Sequence, residues 1–242
     1  MKQVSIADLD GIHIGHFTDT RRPTGCTVVL CPEGAVGGVA VVGAAPGTRE
    51  TDLLNPTSTV NEVHAILLSG GSAFGLDSAT GVMRWLREHE HGLKVGPVRV
   101  PIVPGAVLFD LLVDDFAQPS GSGITPDADA GYQACLDAMR NPASALAQGN
   151  VGAGAGATVG KLNGPSCAMR GGLGWAALNV NGITVAAIIA CNAVGDVINP
   201  HTDKILAGAR TSPDSLNRLN AVEAELDGLS TNGLQAGSNT TI

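Results

Sequence analysis

Residues 173–180 read LGWAALNV, the next two residues are Asn181-Gly182, and Ile183–Cys191 reads ITVAAIIAC. Both runs are apolar and of strand length, and Asn-Gly between two such runs favours a two-residue type I′ turn. This stretch therefore predicts a β-hairpin, and it places an antiparallel or mixed sheet at the centre of the fold.

Further strand and helix patterns surround the hairpin. Strands are predicted at 27–30, 36–42, 63–68 and 98–103, and helices at 73–90, 125–140 and 212–226. Pro32-Glu33-Gly34 predicts a tight turn between the first two strands. Strict βαβ alternation is absent, so an α+β fold with helices outside the sheet is favoured. Small residues throughout the strands allow two sheets to lie face to face.

Composition and charge narrow the class of protein. The 242 residues are 44% hydrophobic and 15% charged, with a net charge of −8 and no cluster of Lys or Arg with aromatic residues. Nucleic-acid binding is therefore not expected. The longest apolar run, Ile183–Cys191, is far short of the roughly 20 residues that span a bilayer, so no membrane contact is expected.

Cysteine usage and the N-terminus predict a cytoplasmic protein. The five cysteines are scattered, which is typical of reduced thiols, and the first residues lack a signal-peptide pattern. His89 and His91 lack the four-residue spacing of a shared metal site on a helix. No metal or organic cofactor is predicted.

The segment Asn239-Thr240-Thr241-Ile242 carries the strongest hint of chemistry. A polar residue followed by three β-branched residues is typical of a loop turning into a strand. If the peptide bond before Thr240 breaks, this residue has both a hydroxyl and an α-amine, whose pKa is roughly 7.7–8.0. The amine can then act as the base for its own hydroxyl. The alternative is an ordinary polar chain end.

Two glycine-rich stretches are candidates for a supporting role. Gly70, Gly71 and Ser72 form a strand-to-helix turn, whose backbone amides either stabilise an oxyanion or simply cap the helix. Residues 149–161 fail the spacing of phosphate and dinucleotide loops, so close approach by another backbone or by a substrate is the better interpretation. Lys161 at the end of this stretch is either a solvated charge or a charge directed into a site.

Five separate motifs together resemble one family. They are TGCTVV at 24–29, APGTRET at 45–51, SGGSAFGL at 69–76, PIVPGAV at 101–107 and NTTI at 239–242. In this order they resemble the DmpA-like self-processing hydrolases, which include L-aminopeptidase/D-amidase-esterases, β-peptidyl aminopeptidases and nylon-oligomer hydrolases. The resemblance covers essentially all 242 residues.

The resemblance implies a fold and a division of the chain. The fold would be the α-β-β-α sandwich shared with ornithine acetyltransferases, of the N-terminal-nucleophile-hydrolase type. Residues 1–239 would be an α-subunit-like single domain in which 228–239 is a mobile linker. Self-cleavage would fall between Asn239 and Thr240, and 240–242 would begin a β subunit that is otherwise absent.

Roles for individual residues also follow from the resemblance. Thr240 would be the nucleophile, and Asn192 matches the asparagine that helps hold the oxyanion. Lys161 matches a lysine of the nylon-oligomer hydrolase branch. Phe109 occupies a position where some members have a tyrosine, so this chain lacks that hydroxyl.

The function implied is a self-processing aminopeptidase or amidase acting on small peptides, amides or esters through an acyl-enzyme on Thr240. Its partners would be a β subunit from the same precursor and further αβ units in a homo-oligomer. The 242-residue chain alone is expected to be inactive. The alternatives are an ornithine-acetyltransferase-like acyl transferase and a truncated, non-catalytic α-like chain.

Overall fold

The computed structural model describes residues 2–6, 9–113, 123–140, 146–227 and 240–242. The α-helices are α1 (Ser78–Glu88), α2 (Ala128–Arg140) and α3 (Ala221–Leu226). Short 3-10 helices occur at Thr51–Leu54, Ser72–Asp77, Gly152–Gly154 and Pro165–Cys167. The strands are β1 (Lys2–Gln3), β2 (His13–Thr18), β3 (Gly25–Ala35), β4 (Thr48–Arg49), β5 (Val63–Ser69), β6 (Leu93–Val95), β7 (Val98–Val100), β8 (Gly105–Val107), β9 (Thr158–Val159), β10 (Met169–Arg170), β11 (Gly172–Val180), β12 (Ile183–Cys191), β13 (Val197–Ile198) and β14 (Ile205–Ala207).

A five-stranded mixed sheet supports one helical layer. Its strand order is β2-β3-β5-β8-β4, and β5 pairs with β8 in parallel while the other neighbours are antiparallel. Ala79, Val82 and Leu86 recur at helical spacing along α1 and are completely buried. They pack with α2 and with alternate side chains of the sheet such as Val28 and Leu67.

The two helices of this layer touch through glycines. A Cβ atom added to Gly81 of α1 would lie 1.7 Å from the Ala128 carbonyl oxygen, and one added to Gly131 of α2 would lie 1.9 Å from the Ser78 carbonyl oxygen. Both obstacles are backbone atoms, so any side chain would push the helices apart.

We expect Gly81→Ala to destabilise the protein by on the order of 1–3 kcal/mol, because overpacking at a backbone contact moves whole elements. The midpoint of thermal unfolding should fall by several degrees. Thr80→Ala is the control, since Thr80 immediately precedes Gly81 in the same helix and is exposed. Equal midpoints for the two variants would show that the helices do not meet at Gly81.

The predicted hairpin is confirmed in register and in turn type. β11 and β12 pair antiparallel from Gly172↔Cys191 to Val180↔Ile183, and β1 pairs with the far edge of β11. Asn181 has φ 53° and Gly182 has φ 89°. Positive φ at both central residues is what a type I′ turn requires.

The two sheets face each other across a core of small side chains. Leu68 and Leu108 of the first sheet region pack with Leu173 and Ala190 of the hairpin. The 3-10 turn Gly152–Gly154 lies between them, and a Cβ on Gly154 would be 2.2 Å from the Leu173 nitrogen. The expected close backbone approach at this glycine-rich stretch is therefore confirmed, and the approach occurs at the turn Gly152–Gly154, before the short strand β9.

The other face of the hairpin is apolar and exposed, with Ile183 at 68% and Val185 at 58% exposure. The described residues thus form helix, sheet and sheet layers. The expected α-β-β-α arrangement would place a second helical layer over this face. The described ranges do not contain that layer.

Several predicted elements were wrong in their bounds. The segment 36–42 is not a strand, and Val36 and Val42 are 89% and 92% exposed. Instead β3 runs through Pro32-Glu33-Gly34 to Ala35, where a register shift lets Ala35 pair with Val63.

The predicted helix at 212–226 is also wrong in its start. α3 begins at Ala221, because the Asn220 side-chain oxygen accepts from the Val222 and Glu223 N–H groups and caps the helix there. The predicted helix at 125–140 begins at Ala128 as α2, with the Asp127 carboxylate accepting from the Ala130 N–H.

Two remaining helix and strand predictions are confirmed in part. The predicted helix at 73–90 is the 3-10 segment Ser72–Asp77 followed by α1. The predicted strand at 98–103 stops at Val100, before Pro101. Proline has no N–H to donate to a neighbouring strand.

No helix in the described ranges is long and apolar enough to cross a membrane.

All five cysteines are free thiols. Burial raises the pKa of Cys26 to about 12 and that of Cys31 to about 11, so neither thiol ionises at neutral pH.

Candidate active site

Residues 240–242 lie along the open edge of β12. Ile242 and Ala190 exchange both backbone hydrogen bonds, at 3.1 Å and 2.6 Å, and the Thr240 N–H donates to the Asn192 carbonyl at 3.3 Å. This is the hydrogen-bond pattern of antiparallel pairing, as the predicted strand requires, although these three residues are not assigned to a strand. It places the Thr240 side chain beside the end of β12. Asn239 and the linker 228–239 lie outside the described residues.

Asn192 bonds the Thr240 side chain, the Lys161 side chain and the Phe109 backbone. It is completely buried, and its amide nitrogen donates to the Thr240 hydroxyl oxygen at 2.9 Å and to the Phe109 carbonyl at 3.0 Å. Its amide oxygen accepts from the Thr158 N–H and from the Lys161 ammonium, each at 2.9 Å. Since both ends of the amide are satisfied, its orientation toward the hydroxyl is fixed.

The Thr240 hydroxyl oxygen receives a second donor, the backbone N–H of Phe109, at 3.0 Å. Two donors occupy the acceptor capacity of that oxygen, so its proton points elsewhere and is available to a base. Both donors are placed to stabilise negative charge on this oxygen. Phe109 acts here through its backbone, so the missing tyrosine hydroxyl does not affect this contact.

Lys161 directs its charge into the site. Its ammonium donates to the Asn192 carbonyl at 2.8 Å and to the Asn192 amide oxygen at 2.9 Å. Burial lowers the pKa of Lys161 to about 8, and the nearby Cys191 thiol opposes this shift in part. Of the two interpretations of Lys161 from sequence, the solvated charge is therefore wrong.

The glycine turn at Gly70, Gly71 and Ser72 does not offer free amides. The Gly70 N–H donates to the Gly25 carbonyl at 2.8 Å, the Gly71 N–H to Asp110 Oδ1 at 2.9 Å, and the Ser72 N–H to the Leu108 carbonyl at 2.9 Å. An N–H that already has a protein acceptor cannot hold an oxyanion as well. The expected oxyanion role of these amides is therefore wrong, and the turn instead ties down residues 108–110.

The Phe109 amide is the donor to Thr240 that the sequence did not reveal. Every residue has a backbone N–H, so no residue type marks this one. A group of three or more His, Cys, Asp or Glu placed to hold a metal ion is not found among the described residues.

Comparisons with known proteins show what this chain is similar to. The model of peptidase family S58 matches residues 4–240. An uncharacterized aminopeptidase of Mycobacterium leprae is 45% identical over 211 residues, covering 82% of this chain and 55% of that protein. A 6-aminohexanoate-oligomer endohydrolase of Paenarthrobacter ureafaciens is 29% identical over 193 residues, covering 79% of this chain and 49% of that protein.

The fold has a solved counterpart in the L-aminopeptidase D-Ala-esterase/amidase of Ochrobactrum anthropi, which is described as a variant of the Ntn hydrolase fold. The TM-score is 0.56 at 16% identity, over 77% of this chain and 51% of that one. The α+β, N-terminal-nucleophile-hydrolase type of fold is thereby confirmed. The chain spans about half the length of the relatives that it matches.

Proposed function

This chain belongs to peptidase family S58, and on that premise we propose that the complete protein is a self-processing aminopeptidase or amidase whose nucleophile is Thr240. The observation that carries the proposal is the Thr240 hydroxyl oxygen, which receives hydrogen bonds from Asn192 and from the Phe109 amide. Such a pair of donors is suited to stabilising a developing alkoxide or oxyanion.

The first reaction is cleavage of the chain itself. The Thr240 hydroxyl oxygen adds to the Asn239 carbonyl carbon, the bond to the Thr240 nitrogen breaks, and that nitrogen keeps the hydroxyl proton as part of a free amine. An ester joins the two residues at this stage. Water then hydrolyses the ester, which leaves a carboxylate on Asn239 and restores the hydroxyl of Thr240.

The second reaction is turnover of a substrate. The free amine of Thr240 takes the hydroxyl proton, and the oxygen adds to the carbonyl carbon of an amide or ester. The leaving amine or alcohol departs with that proton, and an acyl-enzyme remains on Thr240. Water releases the acyl group as a carboxylic acid. Asn192 and the Phe109 N–H donate to the Thr240 oxygen and stabilise the negative charge on it as its proton leaves, before each addition.

We infer that the substrate carries an amide bond near a free amine. The relatives include proteins named as an aminopeptidase and as an oligomer endohydrolase of 6-aminohexanoate, whose bonds are amides. Hydrolysis of small aminoacyl amides would therefore be the activity to measure first.

A second polypeptide from the same precursor is the proposed partner. Residues 240–242 run along the open edge of β12, and a strand that continues this pairing would extend the three-stranded sheet. The exposed apolar face of the hairpin offers that polypeptide a surface to bury. Residues 1–239 would then form one subunit and Thr240 would begin the other, with several such pairs in a homo-oligomer.

The proposal is tested on the protein expressed from its complete gene, hereafter the complete gene product. It is incubated with aminoacyl anilides of L-, D- and β-amino acids, and with the same compounds acetylated on nitrogen. Release of aniline from the free amines but not from the acetylated forms supports an aminopeptidase. No release from any of them, in a protein that has cut itself, contradicts it. Transfer of an acetyl group from acetyl-ornithine to glutamate would identify an acyl transferase instead.

We expect a narrow bell-shaped dependence of kcat/KM on pH. The rate should rise as the Thr240 amine loses its proton, near pH 7.7–8.0 for an ordinary α-amine. It should fall as Lys161, whose pKa is lowered to about 8, loses the charge that holds Asn192. Lys161→Gln removes that titration, so the alkaline fall near pH 8 should disappear. An unchanged fall in this variant would assign it to another group.

The lowered pKa of Lys161 also makes the stability of the protein depend on pH, and this stability rises with pH where the rate falls. Between pH 8 and the ordinary value of 10.5, the unfolded chain binds the Lys161 proton and the folded chain does not. The free energy of unfolding contributed by this group therefore rises with pH across that window.

A further inference from the structure

We propose that Asp110, held by Arg22 and Thr24, is a positioning residue that sets the Phe109 peptide against the Thr240 hydroxyl. The inference rests on the proposed function of Thr240 as the nucleophile. Asp110 does not contact the hydroxyl, and it would act through its neighbour in the chain.

The Asp110 carboxylate is completely buried and fully engaged. Oδ2 accepts from the Thr24 hydroxyl at 2.7 Å, and Oδ1 accepts from the Gly71 N–H at 2.9 Å and from the Arg22 guanidinium at 3.2 Å. Arg22 also donates to the Asp110 carbonyl and, at 3.0 Å, to the Ile124 carbonyl. The side chains of Arg22 and Asp110 are 5% and 0% exposed, so this is an ion pair inside the protein.

The packing leaves room for this carboxylate at two glycines. A Cβ on Gly70 would lie 2.1 Å from Asp110 Oδ2, and a Cβ on Gly156 would lie 2.6 Å from Asp110 Cβ. Side chains at either position would displace the carboxylate. The Gly70-Gly71 turn thus has a structural use that its sequence did not indicate.

The segment before Phe109 is fixed as firmly as the segment after it. The Leu108 N–H donates to the Ser69 carbonyl and the Leu108 carbonyl accepts from the Ser72 N–H, both at 2.9 Å. Phe109 therefore lies between two anchored residues, Leu108 and Asp110.

The Phe109 peptide groups themselves point into the site. Its N–H donates to Thr240 Oγ1 and its carbonyl accepts from Asn192 Nδ2, each at 3.0 Å. The location of the Phe109 backbone, held in the two peptides on either side of its Cα, thus decides both the second donor to the nucleophile and one anchor of the first donor. A misplacement of about 1 Å at such a contact can slow a reaction about 100-fold.

Stability alone does not call for this ion pair. Two buried charges are expensive to desolvate, and an apolar set of the same volume is often equally stable. The ion pair instead fixes the orientation of the surrounding backbone, because the Arg22 guanidinium and the Asp110 carboxylate bond each other and the backbone at defined angles. We therefore infer that its contribution is to geometry at Thr240.

Thr24 offers the cleanest test, because its hydroxyl touches Asp110 and lies outside the catalytic contacts. In the complete gene product, Thr24→Val keeps the shape and removes the bond to Oδ2, whereas Thr24→Ser keeps the bond and removes a methyl group. We expect Thr24→Val to lower kcat at least about tenfold with KM nearly unchanged. Thr24→Ser should keep the wild-type kcat. Rates are expressed per active site, counted from the fraction of cleaved chain.

A merely structural role predicts another pattern. Both variants would then lose thermal stability to some degree, while kcat per folded site stayed at the wild-type value; that result would overturn the proposal. Asp110→Asn adds a second measurement, with a larger expected loss of kcat and an unchanged KM. Should it fail to fold, the Thr24 pair still decides.

Failure of this inference is distinguishable from failure of the proposed function. If Thr240→Ala keeps its activity, the nucleophile is misassigned and the positioning role falls with it. If Thr240→Ala is inactive and Thr24→Val has the wild-type kcat, only the positioning role is overturned.

Discussion

The Thr240→Ala variant of the complete gene product is expected to stay in one uncut chain and to show no hydrolysis above background. Loss of a nucleophile that forms the acyl-enzyme typically lowers kcat on the order of a million-fold. Here no residual activity is expected, because the Thr240 hydroxyl is also needed for the self-cleavage that creates the free amine. The measurements are the chain pattern on a denaturing gel and the rate of aminoacyl anilide hydrolysis.

Two controls make this result specific. Thr241→Ala alters the neighbouring threonine, whose hydroxyl accepts a long bond, 3.4 Å, from the Asn192 N–H. We expect that variant to cut itself and to turn over near the wild-type rate. Thr240→Ser keeps a hydroxyl and should retain both reactions. Turnover by Thr240→Ala would assign the chemistry to another residue.

The second large effect is expected for Asn192→Ala. This change removes one of the two donors to the Thr240 hydroxyl and also one of the two Asn192 oxygens that accept from the Lys161 ammonium. One oxyanion-type donor is typically worth about 3–4 kcal/mol, so kcat should fall on the order of several hundred-fold. KM should change little, because the donor acts on charge that develops during the reaction.

Asn163→Ala is a suitable control for Asn192→Ala. The Asn163 side chain donates to the Arg210 carbonyl at 3.1 Å and makes no hydrogen bond to Thr240, Phe109 or Asn192 among the described residues. We expect its kcat to remain near wild type. A near-native rate for Asn192→Ala in cleaved protein would remove Asn192 from the catalytic set.

The parts of the fold that could be predicted are those that local chemistry determines. The Asn181-Gly182 turn is one, because positive φ at both residues is an intrinsic preference of that dipeptide. The end of β3 is the opposite case. Pro32-Glu33-Gly34 is typical of a turn, but pairing of Ala35 with Val63 carries the strand through it. That partner is remote in sequence, so no local pattern reports it.

The candidate site also contains residues that could be predicted from sequence and one group that could not. Thr240, Asn192 and Lys161 were predicted from a family resemblance, and the structure brings their side chains together although Thr240 and Asn192 are 48 residues apart. The Phe109 amide was missed because its role depends on where a buried turn lies.

The Gly70 and Gly71 amides were misassigned for a related reason. Their acceptors, the Gly25 carbonyl and the Asp110 carboxylate, come from other segments of the chain. A glycine-rich turn shows from sequence that amides are present, but not whether they already have partners.

The most direct measurement is the intact mass and N-terminal sequence of the purified complete gene product. Cleavage by Thr240 predicts two polypeptides, one ending at Asn239 and one whose first residue is Thr240. After brief reaction with an ester substrate, the second polypeptide should gain the mass of one acyl group. A single uncut polypeptide with full hydrolytic activity, or an acyl group on another residue, would contradict the account.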